Sequence, residues 1–461
     1  MINPILLPEL RLMLAEQDDQ GLIEVTTELH PATVADFTEG LDADETWRVL
    51  GHAPLAVQAD IFSYYSNGKQ DEMVHGAGRQ RMSALLEEMA PDNRVDLLKR
   101  LDESVVEELL PLIAKAERQD IRQLLSYPEQ SAGAVMTTEY ASVPDDITCG
   151  EAISRLRLQA PNNEMIYNIY VLGSDRHLLG SISLKSLIMA RPNTLVSEVM
   201  DSDIVSVRVD EDREEVANKM ARYDSLSIPV IDASGRLVGI VTHDDVMDVV
   251  VEAATEDAHR MGGVAPIEGE YLETSLRSMW FKRFVWLSCL FLTGMMTFSV
   301  MQHFEDLLKE TAVLSLFLPL LLSTGGNSGS QAATLVTRAM ALGQVHPSTW
   351  RRVLRHELAV GLCLGLSLGV MGFARTLLVG EETLSGVNGW HLSMVIATTV
   401  AVICIWGTLV GSMLPLLFKR LGFDPALACS PFVATLCDVT GITIYFTIAT
   451  MYLPQALKVV P

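Results

Sequence analysis

Over residues 1–130 apolar positions recur every three or four, as in Leu97-Leu98-Leu101 and Val105-Val106-Leu109-Leu110. That is the period of a buried helix face. Ala-Pro steps at 53–54 and 90–91 mark helix starts, so the segment predicts a stack of short helical hairpins. Over 132–250 the pattern changes to short apolar runs between turns, and it occurs twice. Ala134-Val135-Met136-Thr137 opens one copy and Glu198-Val199-Met200-Asp201 the next. Asn168–Leu172 with Leu178–Ser183 matches Ser227–Ile231 with Leu237–Thr242. Each copy reads strand, helix, strand, turn, strand, helix, and such duplication predicts units that pack on their twins. After Arg277 come five long apolar stretches, roughly 284–301, 312–337, 358–379, 391–417 and 427–453. Each can cross a hydrocarbon core of about 30 Å, which takes about 20 helical residues.

Charge follows the same division. Residues 1–280 hold 50 acids and 23 bases; residues 281–461 hold 8 acids and 11 bases. A plain soluble enzyme is excluded by the apolar part, and nucleic acid is not expected as a partner of so acidic a domain. The loops set direction. Lys282 and Arg283 precede the first span, Arg338, Arg351, Arg352 and Arg355 follow the second, and Lys419 and Arg420 follow the fourth. The other loops carry Glu305, Asp306, Lys309 and Glu310, and Glu381 and Glu382. Basic loops face the cytosol, which predicts residues 1–280 inside and Pro461 outside. Trp280, Trp286, Trp350, Trp390 and Trp406 fall mostly near span ends, as interfacial anchors do. The start, Met1-Ile2-Asn3-Pro4, lacks the basic and apolar regions of a signal peptide. Cys149, Cys289, Cys363, Cys404, Cys429 and Cys437 form no C-x-x-C pair, so neither a disulfide framework nor a zinc site is expected.

Two spans are irregular. In the second, Thr324 to Gln331 is a run of eight small or polar residues. One reading is close helix packing through small residues. The other is a pore wall of amide and carbonyl oxygens, since freed backbone at membrane depth needs protein or a water-filled cavity. In the fifth, Asp438 is the only acid between 425 and 453. A carboxylate at the bilayer centre costs about 2.5–3.5 kcal/mol on insertion scales. A hydrated cation in a pore relieves that cost; a protonated Asp bonded between helices is the alternative. Arg375 is the nearest candidate base, and Cys437 faces elsewhere on the helix. Asp424 and Pro425 read as N-cap and first-turn proline, Pro431 and Gly441 as points of bending, and Thr435 shares the face of Asp438. Hard oxygen donors suit Mg2+ or Ca2+, and one carboxylate among neutral oxygens suits Mg2+, which keeps its water.

The duplicated segment resembles a pair of CBS domains. Such pairs often bind adenine nucleotides through a Ser/Thr-x-x-Asp step after the last strand. The second copy has that step at Thr242-His243-Asp244-Asp245; the first has Ser183-Leu184-Lys185-Ser186. From 244 to 273 the chain crowds Asp244, Asp245, Asp248, Glu252, Glu256 and Asp257 onto a helical stretch. Like charges at i,i+4 cost a helix a few tenths of a kcal/mol each, about 0.2–0.5. A solvated face explains this, and so does a divalent-cation sensor. His30, His52 and His75 are scattered and read as non-catalytic.

The order of parts, with STGGNSGSQAATL and SPFVATLCDVTG in the spans, resembles the MgtE family of magnesium channels over essentially the whole chain. The resemblance implies a multidomain membrane protein. An all-α cytosolic helical-repeat domain (1–130) precedes an α/β CBS pair (131–250, as 131–194 and 195–250). An acidic connecting, or plug, helix (251–278) then leads to a five-helix transmembrane domain (279–461). It implies a homodimer in the cell membrane that takes up Mg2+ and closes when cytosolic Mg2+ binds, with ATP as a regulatory ligand at Thr242 and Asp245. By motif, the pore carboxylate is Asp438, with Ala434, Thr435 and Asn327 lining the route. The cytosolic sensor residues are Glu214, Asp224, Asp245, Asp248, Glu256 and Asp257. In the first domain Asp102, Glu103 and Glu107 are candidates only. Ser330 and Ser430 stand where some relatives have Asn. No enzyme is expected: an intramembrane aspartyl hydrolase needs two carboxylates sharing a proton. Another divalent cation (Ca2+, Mn2+, Co2+) and a membrane-anchored CBS nucleotide sensor are the alternatives.

Overall fold

The structure is a computed structural model that describes residues 7–160, 165–267, 269, 271–272, 274–378 and 387–453. Glu381, Glu382 and Pro461 lie outside the described residues. The chain divides into two compact units, Met1–Ala253 and Ala254–Pro461.

The first unit begins with short helices from Leu7–Glu16 to Lys115–Leu125. Their starts are written locally. Asp42 caps its helix in a reciprocal box with Glu45, Asp18 and Ser66 cap theirs, and Pro31 and Pro91 occupy first turns where no N–H is missed. Their apolar faces meet in one core around Trp47, Phe62, Met73, Met82, Leu86 and Leu98.

The repeat folds as two sheets of equal topology. Strands β1 (Tyr140–Pro144), β2 (Met165–Leu172) and β3 (Leu178–Ser183) form one; β4 (Val207–Arg208), β5 (Ser227–Ile231) and β6 (Leu237–Thr242) form the other. In each, the first pair is parallel and the second antiparallel, with Ile169 opposite Ile182 and Ile228 opposite Val241. The copies exchange their leading segments: Thr137 bridges to Ile240 in β6, and Asp201 to Ser181 in β3. Each copy thus completes the other's edge strand, the physical reason the units occur as a pair. Val95 and Leu124 of the helical part enter the core of the second copy beside Val207, Val216 and Val241.

The connecting helix runs His243–Met261 and leaves helical geometry at Gly262-Gly263, before the next helix begins at Leu276. It therefore starts within the last residues of the duplicated segment and stops well short of 278.

The second unit holds five helical segments long and apolar enough to span a bilayer: Leu276–His303, Ala312–Ala341, Pro347–Leu377, Gly389–Arg420 and Ser430–Tyr452. The first is broken at Met295 and is largely exposed along its length. The third and fourth pack through Gly361, Gly365 and Gly369. A side chain at Gly365 would press on the Ala401 carbonyl, so small residues at every fourth position permit this approach. Trp280, Trp350 and Trp390 stand exposed near helix starts.

Candidate ion path and acidic regulatory surfaces

The polar run of the second span does not break the helix. Leu318–Ala341 is continuous, and its 3.6-residue period sends the run to two faces. Gly325, Gly326, Ser328 and Gly329 are buried. A Cβ on Gly326 would stand 3.3 Å from that of Ala434, and one on Gly329 3.1 Å from the Gly407 carbonyl oxygen. Ser323, Asn327, Gln331 and Thr334 lie exposed on the other face, where Asn327 Nδ2 donates to Ser323 Oγ at 3.1 Å. The close-packing reading holds for the glycines, which meet the neighbouring helices, while Ser323, Asn327, Gln331 and Thr334 stand on the exposed face.

The fifth span, Ser430–Tyr452, is also continuous. Pro431 sits in its first turn and Gly441 packs beside Ile403, so neither bends it. Asp424 is a cap as expected, but of the one-turn helix Pro425–Leu427: it accepts from Ala426 N at 2.8 Å, and the span starts later. Asp438 is half-buried, and among the described residues it makes no hydrogen bond or ion pair; Arg375 is not brought to it. Thr435 turns its hydroxyl onto its own helix, to Pro431 O at 2.8 Å. Cys437 is buried against Gly325 and Gly329. Ser330 Oγ reaches the Ser430 carbonyl at 3.2 Å, tying the start of the fifth span to the second.

At the Lys419–Arg420 end of the bundle the chain from the connecting helix is fastened. Arg260 bonds both Glu256 and Asp424. Burial, with Asp424 nearby, pushes the Asp257 carboxyl up against the pull of Arg260. Gly263 takes a left-handed turn (φ +71°) with the Trp286 ring against it, a place only glycine fits. Trp286 Nε1 donates to Cys429 Sγ at 3.2 Å, and Lys282 Nζ to Pro266 O at 2.5 Å.

In the first unit the acids of the connecting helix face an unexpected partner. Asp92, on the helix Pro91–Arg100, is 7% exposed and bonded to Asp245. Burial pushes its carboxyl up, Asp244 adds to this, and its Oδ1 is a buried acceptor with no hydrogen-bond partner. Asp96, one turn on, lines a cleft of about 290 Å3 with Lys99, Arg213 and Glu252. Its side chain is exposed at the cleft edge, yet enclosure there pushes its carboxyl up; Lys99 and Arg100 oppose, Asp92 and Glu252 add. Partial burial, then Asp244 and Glu252, do the same to Asp248. Arg213 relieves Glu252 at 2.9 Å. Asp102, Glu103 and Glu107 are exposed on the following helix. The i,i+4 pair Asp92/Asp96 after an Ala-Pro start was the signal available in the sequence.

The remaining sensor candidates are apart. Glu214 opens the helix Arg213–Tyr223 and the exposed Asp224 closes it in a left-handed conformation (φ +49°), ten residues on. Among the described residues no three His, Cys, Asp or Glu side chains form a ready metal cage. In the Ser/Thr-x-x-Asp step, Thr242 Oγ1 donates to Asp245 Oδ2 at 2.5 Å; in the first copy Ser183 and Ser186 hydroxyls stand 2.8 Å apart.

Comparison with known proteins agrees with this organisation. A divalent cation transporter model matches residues 318–448, an MgtE intracellular N domain model 29–130, and a CBS domain model 132–193 and 196–252. The magnesium transporter MgtE of Thermus thermophilus is 40% identical over 445 residues, 95% of this chain and 97% of that protein. That of Enterococcus faecalis is 36% identical over 73% of this chain and 72% of its own length. Among solved structures, the cytosolic domain of the Mg2+ channel MgtE in complex with ATP is 39% identical, with a TM-score of 0.50, over 52% of this chain and 98% of that one. The soluble part of a magnesium transporter gives 33% and 0.52 over 54% and 98%. These relatives are transporters, not enzymes, and with a multi-pass membrane unit behind a helical domain and a CBS pair, this chain belongs to the MgtE family of magnesium transporters.

Proposed function

We propose that the protein is a homodimeric Mg2+ channel of the cell (inner) membrane, gated by cytosolic Mg2+, with its N-terminal unit in the cytosol and its C-terminus outside. The observation that carries the pore reading is Asp438, a half-buried carboxylate without a partner among the described residues, in the middle of a span. Ala434, one turn before it, packs on Gly326 of the second span, and Asn327 stands beside that glycine on the free face. A hydrated Mg2+ passing this carboxylate keeps most of its water and is drawn inward by a negative interior, about 4.6 kcal/mol per 100 mV for two charges. Thr435 gives its hydroxyl hydrogen to Pro431 O, which leaves the oxygen lone pairs to accept from the ion's water.

The gate is electrostatic. Asp92 and Asp96 face Asp244, Asp245 and Glu252 within one unit, with Asp248 at the edge, and the Asp92 Oδ1 acceptor lacks a donor. Mg2+ bound with its waters removes the repulsion and holds the connecting helix in place; low Mg2+ lets the acids part. Glu256 and Asp257 act at the fastened end, and Glu214 and Asp224 act on surfaces that a second copy supplies. Binding of ATP at Thr242 and Asp245 tunes the closing concentration. This rests on the bonded Thr-x-x-Asp step and on a relative of 39% identity whose cytosolic domain is described in complex with ATP.

The test is Mg2+ flux into liposomes holding the full chain, with Asp438→Ala beside it, at low and high Mg2+ on the cytosolic face. Flux that needs Asp438 and falls as cytosolic Mg2+ rises is the expected result. Flux without inhibition removes the gate. Its absence from folded protein, with Ca2+, Mn2+ or Co2+ passing instead, reassigns the ion.

A further inference from the structure

Within the membrane unit a groove of about 400 Å3 opens at the basic end of the bundle. Its walls are Met413, Leu414 and Leu417 of the fourth span, Leu436 of the fifth and Trp350 at the start of the third; Arg420 stands at its mouth. We propose that this groove holds one acyl chain of an anionic phospholipid, with the phosphate on Arg420.

Dimensions support the chain. The lining on the fourth span runs from Val410 to Arg420, ten residues of continuous helix. At the helical rise that is roughly 15 Å, about half of a 30 Å hydrocarbon core and so the depth of one leaflet. Charge supports the headgroup. Arg420 makes no hydrogen bond or ion pair among the described residues, and Lys419 beside it likewise has none. Arg351 lies over the Trp350 ring at 5.3 Å, adding positive charge on the same rim. Basic pockets between spans are the sites at which anionic headgroups are held. A second copy of the chain is the less suitable occupant. Across a two-fold axis a partner would offer this same patch, whose lining holds Arg420 and no acid to pair with it, so the cation would be buried uncompensated.

Full-length protein in detergent, incubated with equal amounts of phosphatidylglycerol and phosphatidylcholine of the same chains, is read by native mass spectrometry. Phosphatidylglycerol should be retained over phosphatidylcholine. Arg420→Gln should lower its retention about fivefold, the weight of one basic residue near a headgroup, and leave phosphatidylcholine unchanged. Leu417→Trp, at a wall residue 49% exposed, should lower both by filling the groove. Should that variant unfold, the Arg420→Gln comparison decides alone. Equal retention of the two lipids, or phosphatidylglycerol unaffected by Arg420→Gln, overturns the proposal. So does disulfide formation between copies carrying Leu417→Cys beyond that of the parent chain, which would give the groove to a second subunit.

Discussion

Replacing Asp92 by Asn should stabilise the first unit, Met1–Ala253, in the absence of metal, contrary to the usual outcome for a buried polar residue. Asp92 is 7% exposed, bonded to Asp245 and within reach of the Asp244 charge. Two carboxylates about 4 Å apart repel by about 4 kcal/mol at an effective dielectric constant of 20. A shared proton already removes part of that, so an amide that donates to Asp245 should recover about 1–3 kcal/mol. For a unit of this size, Met1–Ala253, each kcal/mol moves the melting midpoint by about 2–4 °C. The assay is thermal unfolding of the detergent-solubilised chain, in chelator and in millimolar Mg2+. Wild type should gain stability with Mg2+, by about 2.7 kcal/mol at a hundred times the dissociation constant. Asp92→Asn should start higher in chelator and gain less. The pH dependence has a definite sign. At Asp92, Asp96 and Asp248 the folded state binds protons more tightly than the unfolded. Metal-free stability should therefore fall as pH rises from the ordinary carboxylate value of 3.8 to the raised folded values, and the lost part stays lost above them. A midpoint lowered by Asp92→Asn in chelator, with the Mg2+ gain intact, would refute a repulsive seam.

Other changes test other parts. Asp438→Asn should keep the fold yet cut Mg2+ flux in liposomes, and unchanged flux would remove the carboxylate from the route. Gly411→Ala should destabilise the membrane unit by about 1–3 kcal/mol through overpacking, read by unfolding in detergent, because its Cβ would overlap the Gly329 carbonyl. Arg260→Gln should expose residues 262–267 to protease, since Arg260 is the cation that bonds Glu256 to Asp424. An unchanged cleavage rate would mean that the Trp286 and Lys282 contacts fasten that segment without it.

The spans, the strands and the duplication were legible because each is a pattern of apolar positions set by length, period or repetition, which sequence records directly. Even so, helix ends moved. The fifth span begins at Ser430 rather than near 427, since the Asp424 cap goes to a separate turn. The exchange of Thr137 and Asp201 between sheets left no mark in the sequence, because bridges between distant backbone segments carry no side-chain signature.

The site divides along the same line. Asp438 was conspicuous because a charge in an apolar run has few explanations, and the structure leaves it without a partner among the described residues. Asp92 was hidden because one acid among the 58 of the chain means nothing until a second helix is placed beside it. The run from Thr324 to Gln331 shows why a residue list alone could not choose between packing and pore. Helical geometry gives Gly325, Gly326 and Gly329 to the neighbouring helices and Asn327 and Gln331 to the free face. The two demands require each other: only glycines let the fourth and fifth spans come close enough to hold one face of the second span rigid, and a polar face offered to a permeating ion is selective only if its backbone does not yield. A substitution on the buried face should therefore alter permeation without touching any residue the ion meets.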